Sequence, residues 1–143
     1  MKSQLAITTS LVVVLVCFGT RPSMADDSLY GDLGQKDGIA KIVDAATTNF
    51  LADARISATF SDTNISRFKG LLVSQLCVVA GGPCEYKGQS MHDAHKGLHL
   101  TNADFNALVE DLQRGMDTAG IPFRVQNRLL ARLAPMHQDV VTR

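Results

Sequence analysis

The sequence lacks an excess of charge of either sign, since 14 lysines and arginines balance 14 aspartates and glutamates in 143 residues. A chain without a basic stripe or a polybasic patch is not expected to bind nucleic acid, or to bind a membrane surface by charge. Internal repeats, low-complexity tracts and stretches typical of inter-domain linkers are also missing. These absences predict a single compact domain.

Long hydrophobic runs are scarce, and the apolar run at residues 11–18 is too short to span a bilayer comfortably. It follows a cationic start and precedes Ser-Met-Ala at residues 23–25, which places small residues at the two positions that a signal peptidase reads. We therefore predict a signal peptide over residues 1–25 and cleavage before Asp26. The predicted destination is a bacterial periplasm, without a stable membrane anchor. An uncleaved N-terminal anchor is the alternative.

The rest of the chain, residues 26–143, is long enough for one domain with one modest core. The segment removed by the predicted cleavage contains two basic residues and no acidic one. The remaining domain would therefore carry two more acidic than basic side chains, which again gives no sign of a nucleic-acid partner.

Every segment of this domain with a clear hydrophobic period has the period of an α-helix. No stretch alternates with a period of two for long enough to suggest a sheet, so we predict an all-α fold. The segment 83–100, which contains Gly88 and Gly97, is predicted to be a loop with at most two turns of helix. The apolar positions of the four predicted helices are Ile39, Ile42, Val43, Ala46 and Phe50; Phe68, Leu71, Leu72, Leu76 and Val79; Phe105, Leu108, Val109, Leu112 and Met116; and Val125, Leu129, Leu130 and Leu133.

Several ends of these helices have their own sequence signals. The Asp-Thr-Asn run at residues 62–64 can cap the second helix. The Gly-Gly-Pro run at residues 81–83 stops it, because glycine reaches left-handed backbone angles and proline lacks the amide proton. Thr101, with Asp104 three residues later, resembles a capping box at the start of the third helix.

Two cysteines, Cys77 and Cys84, remain after the predicted cleavage. An oxidising compartment permits a disulfide between them, and the Gly-Gly-Pro run could fold the chain back on itself. Two independent buried thiols are an equal alternative, since a disulfide has strict geometric demands. The motif Cys-x-x-Cys-His is absent, which excludes covalent haem attachment of the cytochrome type.

Three of the four histidines, His92, His95 and His99, fall within the predicted loop. They could be solvated side chains, which is the commoner role of a histidine in a polar stretch. They could share a metal ion, although Gly97 weakens the helix that would align them and a structural zinc site needs four ligands. One of them could be an iron ligand, as in a haem protein with an apolar pocket. The residues alone leave these three interpretations open.

Several short blocks of the sequence follow one another with hardly a gap in the order of a known family. They are Leu29-Tyr30 with Leu33-Gly34, Leu51-Ala52-Asp53, residues 60–64 with Ser66-Arg67, Gly81-Gly82-Pro83 with Tyr86, Gly88, Met91 and His95, and Ala134-Pro135. In this order they resemble the truncated haemoglobins of group 1, and the resemblance covers nearly all of residues 26–143. It implies a truncated globin fold, a two-over-two helical sandwich around a non-covalently bound haem b.

The resemblance also implies roles for individual residues. His95 would be the proximal ligand of the haem iron. His92 and His99 would be bystanders, and His137 would face solvent near the C-terminus. A guanidinium near the haem edge could pair with a propionate. The residues implied to contact haem are Phe60, Thr63, Arg67, Phe68, Leu72, Tyr86, Met91, Leu100 and Phe105.

This chain departs from the family on the far side of the iron, where members often carry polar residues. A common Phe-Tyr pair on the first long helix is replaced by Ala46-Thr47, and the second long helix presents apolar side chains there. Thr47 is the remaining hydroxyl donor, and Gln75 is a candidate amide donor. Since bound oxygen gains more from a donor than carbon monoxide does, we predict weak discrimination in favour of oxygen. The residues predicted to line this distal pocket are Ala46, Thr47, Phe68, Leu72 and Leu76.

Three functions follow as alternatives. The leading one is a globin that reversibly binds oxygen, nitric oxide or carbon monoxide, with an unidentified reductase as partner. The second is an enzyme on the same scaffold, either a nitric oxide dioxygenase or a peroxidase, although no distal histidine is evident for acid–base chemistry. The third is a haem-free helical module used for interaction, against which His95 and the implied pocket residues argue.

Overall fold

The computed structural model describes residues 28–142, and these residues form helices joined by turns, with no strand among them. The prediction of an all-α fold is confirmed. In order, the helices are α1 (Leu29–Asp32), α2 (Gln35–Ala52), α3 (Ile65–Val79), α4 (Met91–His95), α5 (Asn102–Thr118), α6 (Phe123–Leu133) and α7 (His137–Val140), with short 3-10 turns at Ser57–Phe60 and Ala134–Met136.

The four longer helices lie as two pairs, α2 with α3 and α5 with α6, one pair over the other. Helices α2 and α5 make the central contact, and their buried apolar stripes form half of the core. Gly115 of α5 lies directly against Ala46 of α2. A Cβ atom added at Gly115 would lie 2.7 Å from the backbone nitrogen of Ala46 and 2.8 Å from its Cα. The two helices therefore approach closely because both positions carry minimal side chains.

The predicted helix starts and stops agree with the structure. The side chain of Asn64 accepts a hydrogen bond from the Arg67 amide at 3.0 Å, which caps α3. This helix ends at Val79, two residues before Gly81, which has a φ of +85°. The capping box of α5 is present, since the Thr101 amide donates to Asp104 Oδ2 at 2.8 Å and the Asp104 amide donates to Thr101 Oγ1.

The C-terminal residues fold back against the start of α5. The His137 ring packs edge-on against Phe105 with ring centroids 4.8 Å apart, and its Nε2 lies 2.7 Å from Asn102 Oδ1. The Thr142 amide donates to the Leu100 carbonyl at 3.0 Å. His137 is partly exposed, and its ring also contacts α5 because the chain turns at Pro135 and brings α7 against that helix.

The loop predicted at residues 83–100 contains the single short helix α4, within the predicted limit of two turns. Within residues 28–142, no helix combines the length and hydropathy that crossing a membrane would require. The predicted signal peptide lies outside the described residues.

A buried carboxylate stands in the middle of α5. The side chain of Asp111 is 1% exposed, and neither of its oxygens accepts a hydrogen bond, although Arg114 Nη2 lies 3.1 Å from Oδ1. Burial raises the pKa of Asp111 above its ordinary value, and Arg114 only partly opposes this. Nearby Asp53, held by Arg55, has its pKa lowered to about 2 by hydrogen bonds from that side chain and its backbone amide.

We expect Gly115→Ala to destabilise the fold by about 1–3 kcal/mol, because the new methyl group would collide with the α2 backbone. The matched control is Gly70→Ala in α3, where nothing lies within 4 Å of the added atom. This control should be neutral or more stable by up to about 1 kcal/mol. Urea unfolding of both variants measures the difference, and equal stability of the two would contradict the close contact.

We expect Asp111→Asn to gain stability relative to the natural protein as the pH rises from acidic to neutral values. A carboxyl with a raised pKa binds its proton more tightly in the folded state, so its contribution to stability is lost as the pH rises through that pKa. An asparagine side chain does not titrate, so the variant does not lose stability in this way as the pH rises. Thermal unfolding of both proteins at about pH 4, close to the pKa of about 3.9 of an unfolded aspartate, and at about pH 7.5 measures the effect.

The control for this prediction is Glu110→Gln, since Glu110 is exposed and pairs with Arg55 at 2.8 Å. The Asp111 prediction fails if its variant differs from the natural protein by the same amount at both pH values.

Candidate functional site

A cavity of about 340 Å³ opens between α3, α4, α5 and the C-terminal residues. This volume lies within the range of about 300–1,000 Å³ that is usual for ligand pockets. Most of the side chains on its wall are apolar. They include Phe50, Ile56, Phe60, Phe68, Leu71, Leu72, Leu76, Met91, Leu98, Leu100, Phe105, Leu108, Val109, Leu112, Leu133, Met136 and Val140.

One imidazole, that of His95, reaches this wall from the last residue of α4. Its Nδ1 lies 2.7 Å from the carbonyl oxygen of Met91, one turn earlier in the same helix. A carbonyl oxygen can only accept a hydrogen bond, so the proton of the neutral ring is on Nδ1. The lone pair of Nε2 is then available to a metal, and the hydrogen bond fixes the orientation of the ring.

The other two histidines of this stretch do not join His95. His92 and His99 are exposed, and neither contributes to the cavity wall. Across residues 28–142, no three histidine, cysteine or acidic side chains are placed to hold a metal ion together. The interpretation of His92, His95 and His99 as a metal cluster is therefore wrong, because five residues of helix α4 are too few to align all three.

An aromatic group forms one part of the cavity wall. Phe60 stacks on Phe50 with ring centroids 5.8 Å apart and meets Phe68 edge-on at 5.4 Å. These three rings come from the end of α2, the first 3-10 turn and the first turns of α3. Their mutual packing gives a rigid apolar surface suited to a flat hydrophobic ligand.

The polar groups on the wall are mostly engaged by the chain itself. Tyr86 donates its hydroxyl proton to the Gln89 carbonyl at 2.9 Å, and a Cβ atom added at Gly88 would lie 2.2 Å from the Tyr86 hydroxyl oxygen. The carboxylate of Asp104 belongs to the α5 capping box, whose hydrogen bonds from Thr101 lower its pKa. These groups have partners before any ligand arrives.

Gln75 differs from the other polar residues of the wall. Its amide nitrogen lies 2.9 Å from the sulfur of Met91 and 3.6 Å from that of Met136, so its partners are weak acceptors. The position of Gln75 in the sequence did not show whether its side chain points outward. The structure places it on the wall between α3 and α4.

The structure brings together most of the residues predicted for the site. Besides His95, the wall includes Phe60, Thr63, Phe68, Leu72, Leu76, Tyr86, Met91, Leu100 and Phe105.

Three predicted residues lie elsewhere. Arg67 is exposed near the start of α3 and does not reach the wall. Ala46 faces Gly115 across the contact between α2 and α5, so it fills no part of the cavity. Thr47 is 3% exposed and its hydroxyl has no hydrogen-bond partner among the described residues, but it also lies off the wall.

Some residues of the wall were not predicted as site residues. Phe50 and Leu112 were predicted as helix core, because a cavity inside the core is lined by the same apolar stripes. Met136 and Val140 had no sequence signal, since their position depends on the turn that brings α7 back to the fold.

Comparisons with known proteins agree with this geometry. A family model described as bacterial-like globin matches residues 28–142. A group 1 truncated hemoglobin of Mycolicibacterium paratuberculosis is 29% identical over 115 residues, which cover 80% of this chain and 85% of that protein.

Solved structures are similar as well. The Fe(III) form of a truncated hemoglobin from Tetrahymena pyriformis has a TM-score of 0.78 and 28% identity, over 80% of this chain and 98% of that one. A group II truncated hemoglobin from Bacillus anthracis, 21% identical with a TM-score of 0.72 over 80% of this chain and 91% of that one, shares the fold. The chain therefore belongs to the bacterial-like globin family, as a group 1 truncated haemoglobin with the two-over-two helical fold.

Proposed function

We propose that this chain binds haem b non-covalently in the cavity, with Nε2 of His95 as the axial ligand of the iron. The observation that carries the proposal is the hydrogen bond from His95 Nδ1 to the Met91 carbonyl, because it leaves Nε2 unprotonated at the cavity wall. A truncated haemoglobin is expected to bind haem, and the apolar and aromatic wall fits a flat macrocycle.

The bound haem would supply reversible coordination of oxygen, nitric oxide or carbon monoxide at its iron. The chain's own part is to hold the ring from one side and to exclude water with its apolar wall. Thr63 lies on the wall and the exposed Arg67 follows one turn later in the sequence, so both could meet the haem carboxylates at the cavity edge.

We also propose that the pocket discriminates weakly in favour of oxygen. The α3 wall is formed by Phe68, Leu72 and Leu76, which offer no donor, and the hydroxyl of Thr47 is off the wall. Gln75 is the donor that α3 contributes to the wall, and its amide is turned towards two sulfur atoms. A bound gas would thus gain little hydrogen-bond stabilisation from the chain.

Export to a periplasm remains part of the proposal. It rests on the sequence pattern of residues 1–25. The disulfide between Cys77 and Cys84 supports it, since such bonds persist in oxidising compartments.

We expect His95→Ala to lose the haem absorbance of the natural protein, or to retain haem with altered iron coordination that added imidazole restores. The reason is that no other histidine reaches the cavity wall. Absorption spectra of the purified ferric and ferrous proteins, with and without imidazole, measure this.

The controls are His92→Ala and His99→Ala, which change exposed side chains and should leave the spectra unchanged. A colourless natural protein prepared with ample haem, or a coloured His95→Ala with natural coordination, would contradict the assignment.

We expect Leu72→Gln to slow oxygen release by about tenfold or more, since a new donor in a dry pocket contributes about 1–3 kcal/mol and each 1.4 kcal/mol is tenfold. Carbon monoxide release should change little. Leu72→Met is the matched control, because it keeps the volume and adds no donor. Stopped-flow measurements of the release rates of both gases test this prediction. Equal slowing of oxygen and carbon monoxide release would show a steric effect instead.

A further inference from the structure

The segment that joins α3 to α4 is held to the rest of the fold by few interactions. The Gly82 amide donates to the Cys77 carbonyl at 2.8 Å, and the next backbone hydrogen bond of this stretch is from Ala94 to Ser90. Within the described chain, residues 83–89 make no backbone–backbone hydrogen bond. Such a segment is expected to open locally at low free-energy cost.

The side-chain interactions of residues 83–89 are mostly internal. Tyr86 donates to the carbonyl of Gln89, and Lys87 pairs with Glu85 at 3.2 Å on the surface. The disulfide from Cys84 to Cys77 is the covalent link across the turn to α3. The disulfide therefore provides much of the attachment of residues 83–89 to the rest of the fold.

The disulfide also joins two parts of the cavity wall. Cys77 directly follows Leu76, and Cys84 precedes Tyr86 by two residues, and both Leu76 and Tyr86 line the cavity. Cys77 is fully buried in the core, whereas Cys84 is half-buried at its edge. The bond thus holds the wall of α3 and the wall before α4 at a fixed separation.

We propose that the Cys77–Cys84 disulfide is a redox-sensitive clamp that controls how long the cavity retains haem. The inference rests on the proposed haem site. With the bond closed, Tyr86 is kept on the wall; with the bond open, residues 83–89 move away more often, and water enters the cavity.

The reductant is a small dithiol. One of its thiolates attacks the sulfur of Cys84, the more accessible partner, and the sulfur of Cys77 leaves as a thiolate that takes up a proton. The second thiol of the reductant then releases Cys84 as a thiol. The dithiol loses two electrons and becomes a disulfide, and the protein gains two thiols.

Haem transfer to excess apomyoglobin tests the clamp. The haem-loaded protein is compared in its disulfide form, after dithiothreitol treatment, and as the double variant Cys77→Ser/Cys84→Ser. We expect haem loss to be faster by about tenfold or more in the two forms without the bond, equivalent to about 1.4 kcal/mol. Dithiothreitol should have no effect on the double variant, which controls for reduction of the iron.

A second measurement separates this inference from the proposed function. In the haem-free full chain, opening the disulfide should speed hydrogen exchange in residues 83–90 and leave α2 and α5 unchanged. Faster exchange there in a protein that never takes up haem would show that the disulfide restrains residues 83–90 and would reject the haem site.

Three results would overturn the clamp. The first is a rate of haem loss that agrees within about twofold in all forms, since that difference corresponds to well under about 1 kcal/mol. The second is a loss of protection across α2 and α5 as well, since the bond would then support the whole fold. The third is a titration that finds two free thiols in protein isolated under oxidising conditions.

Discussion

The close contact of α2 and α5 at Ala46 and Gly115 is the constraint on which the rest of the structure depends. Because neither residue carries more than a methyl group, the two backbones meet and the apolar stripes on either side interlock. One turn beyond Ala46, Phe50 is left at the edge of this contact, where it packs with Phe60 and Phe68. The cavity begins there, so the distance between two helices decides where the aromatic wall stands.

Much of the fold could be predicted because its signals are local. The period of the apolar residues, the Gly-Gly-Pro stop after α3 and the pairing of Thr101 with Asp104 each act within a few residues. The residues of the site were harder to predict from the sequence. Cavity wall and solid core have the same apolar period, so Phe50 could not be told from its neighbours. Ala46 was placed in the pocket by family resemblance, and no local signal showed its contact with Gly115, which is nearly 70 residues away in sequence.

The assignment of His95 shows the same limit. The residues alone left three interpretations of the histidines open, and family resemblance selected one position. The physical reason is visible only in three dimensions, where a backbone carbonyl one turn back binds the first ring nitrogen and leaves the second free. Asp111 is the contrasting case. It is buried among the core residues, and burial raises the pKa of its carboxyl, which Arg114 at 3.1 Å only partly opposes.

The way in which α7 folds back has a consequence for how much of the chain is needed to form the cavity. Leu133, Met136 and Val140 complete a wall whose other members begin at Phe50, so the enclosure draws on residues some 90 positions apart. A chain that ended before Leu133 would therefore lack this side of the wall, and its cavity would be open to solvent there.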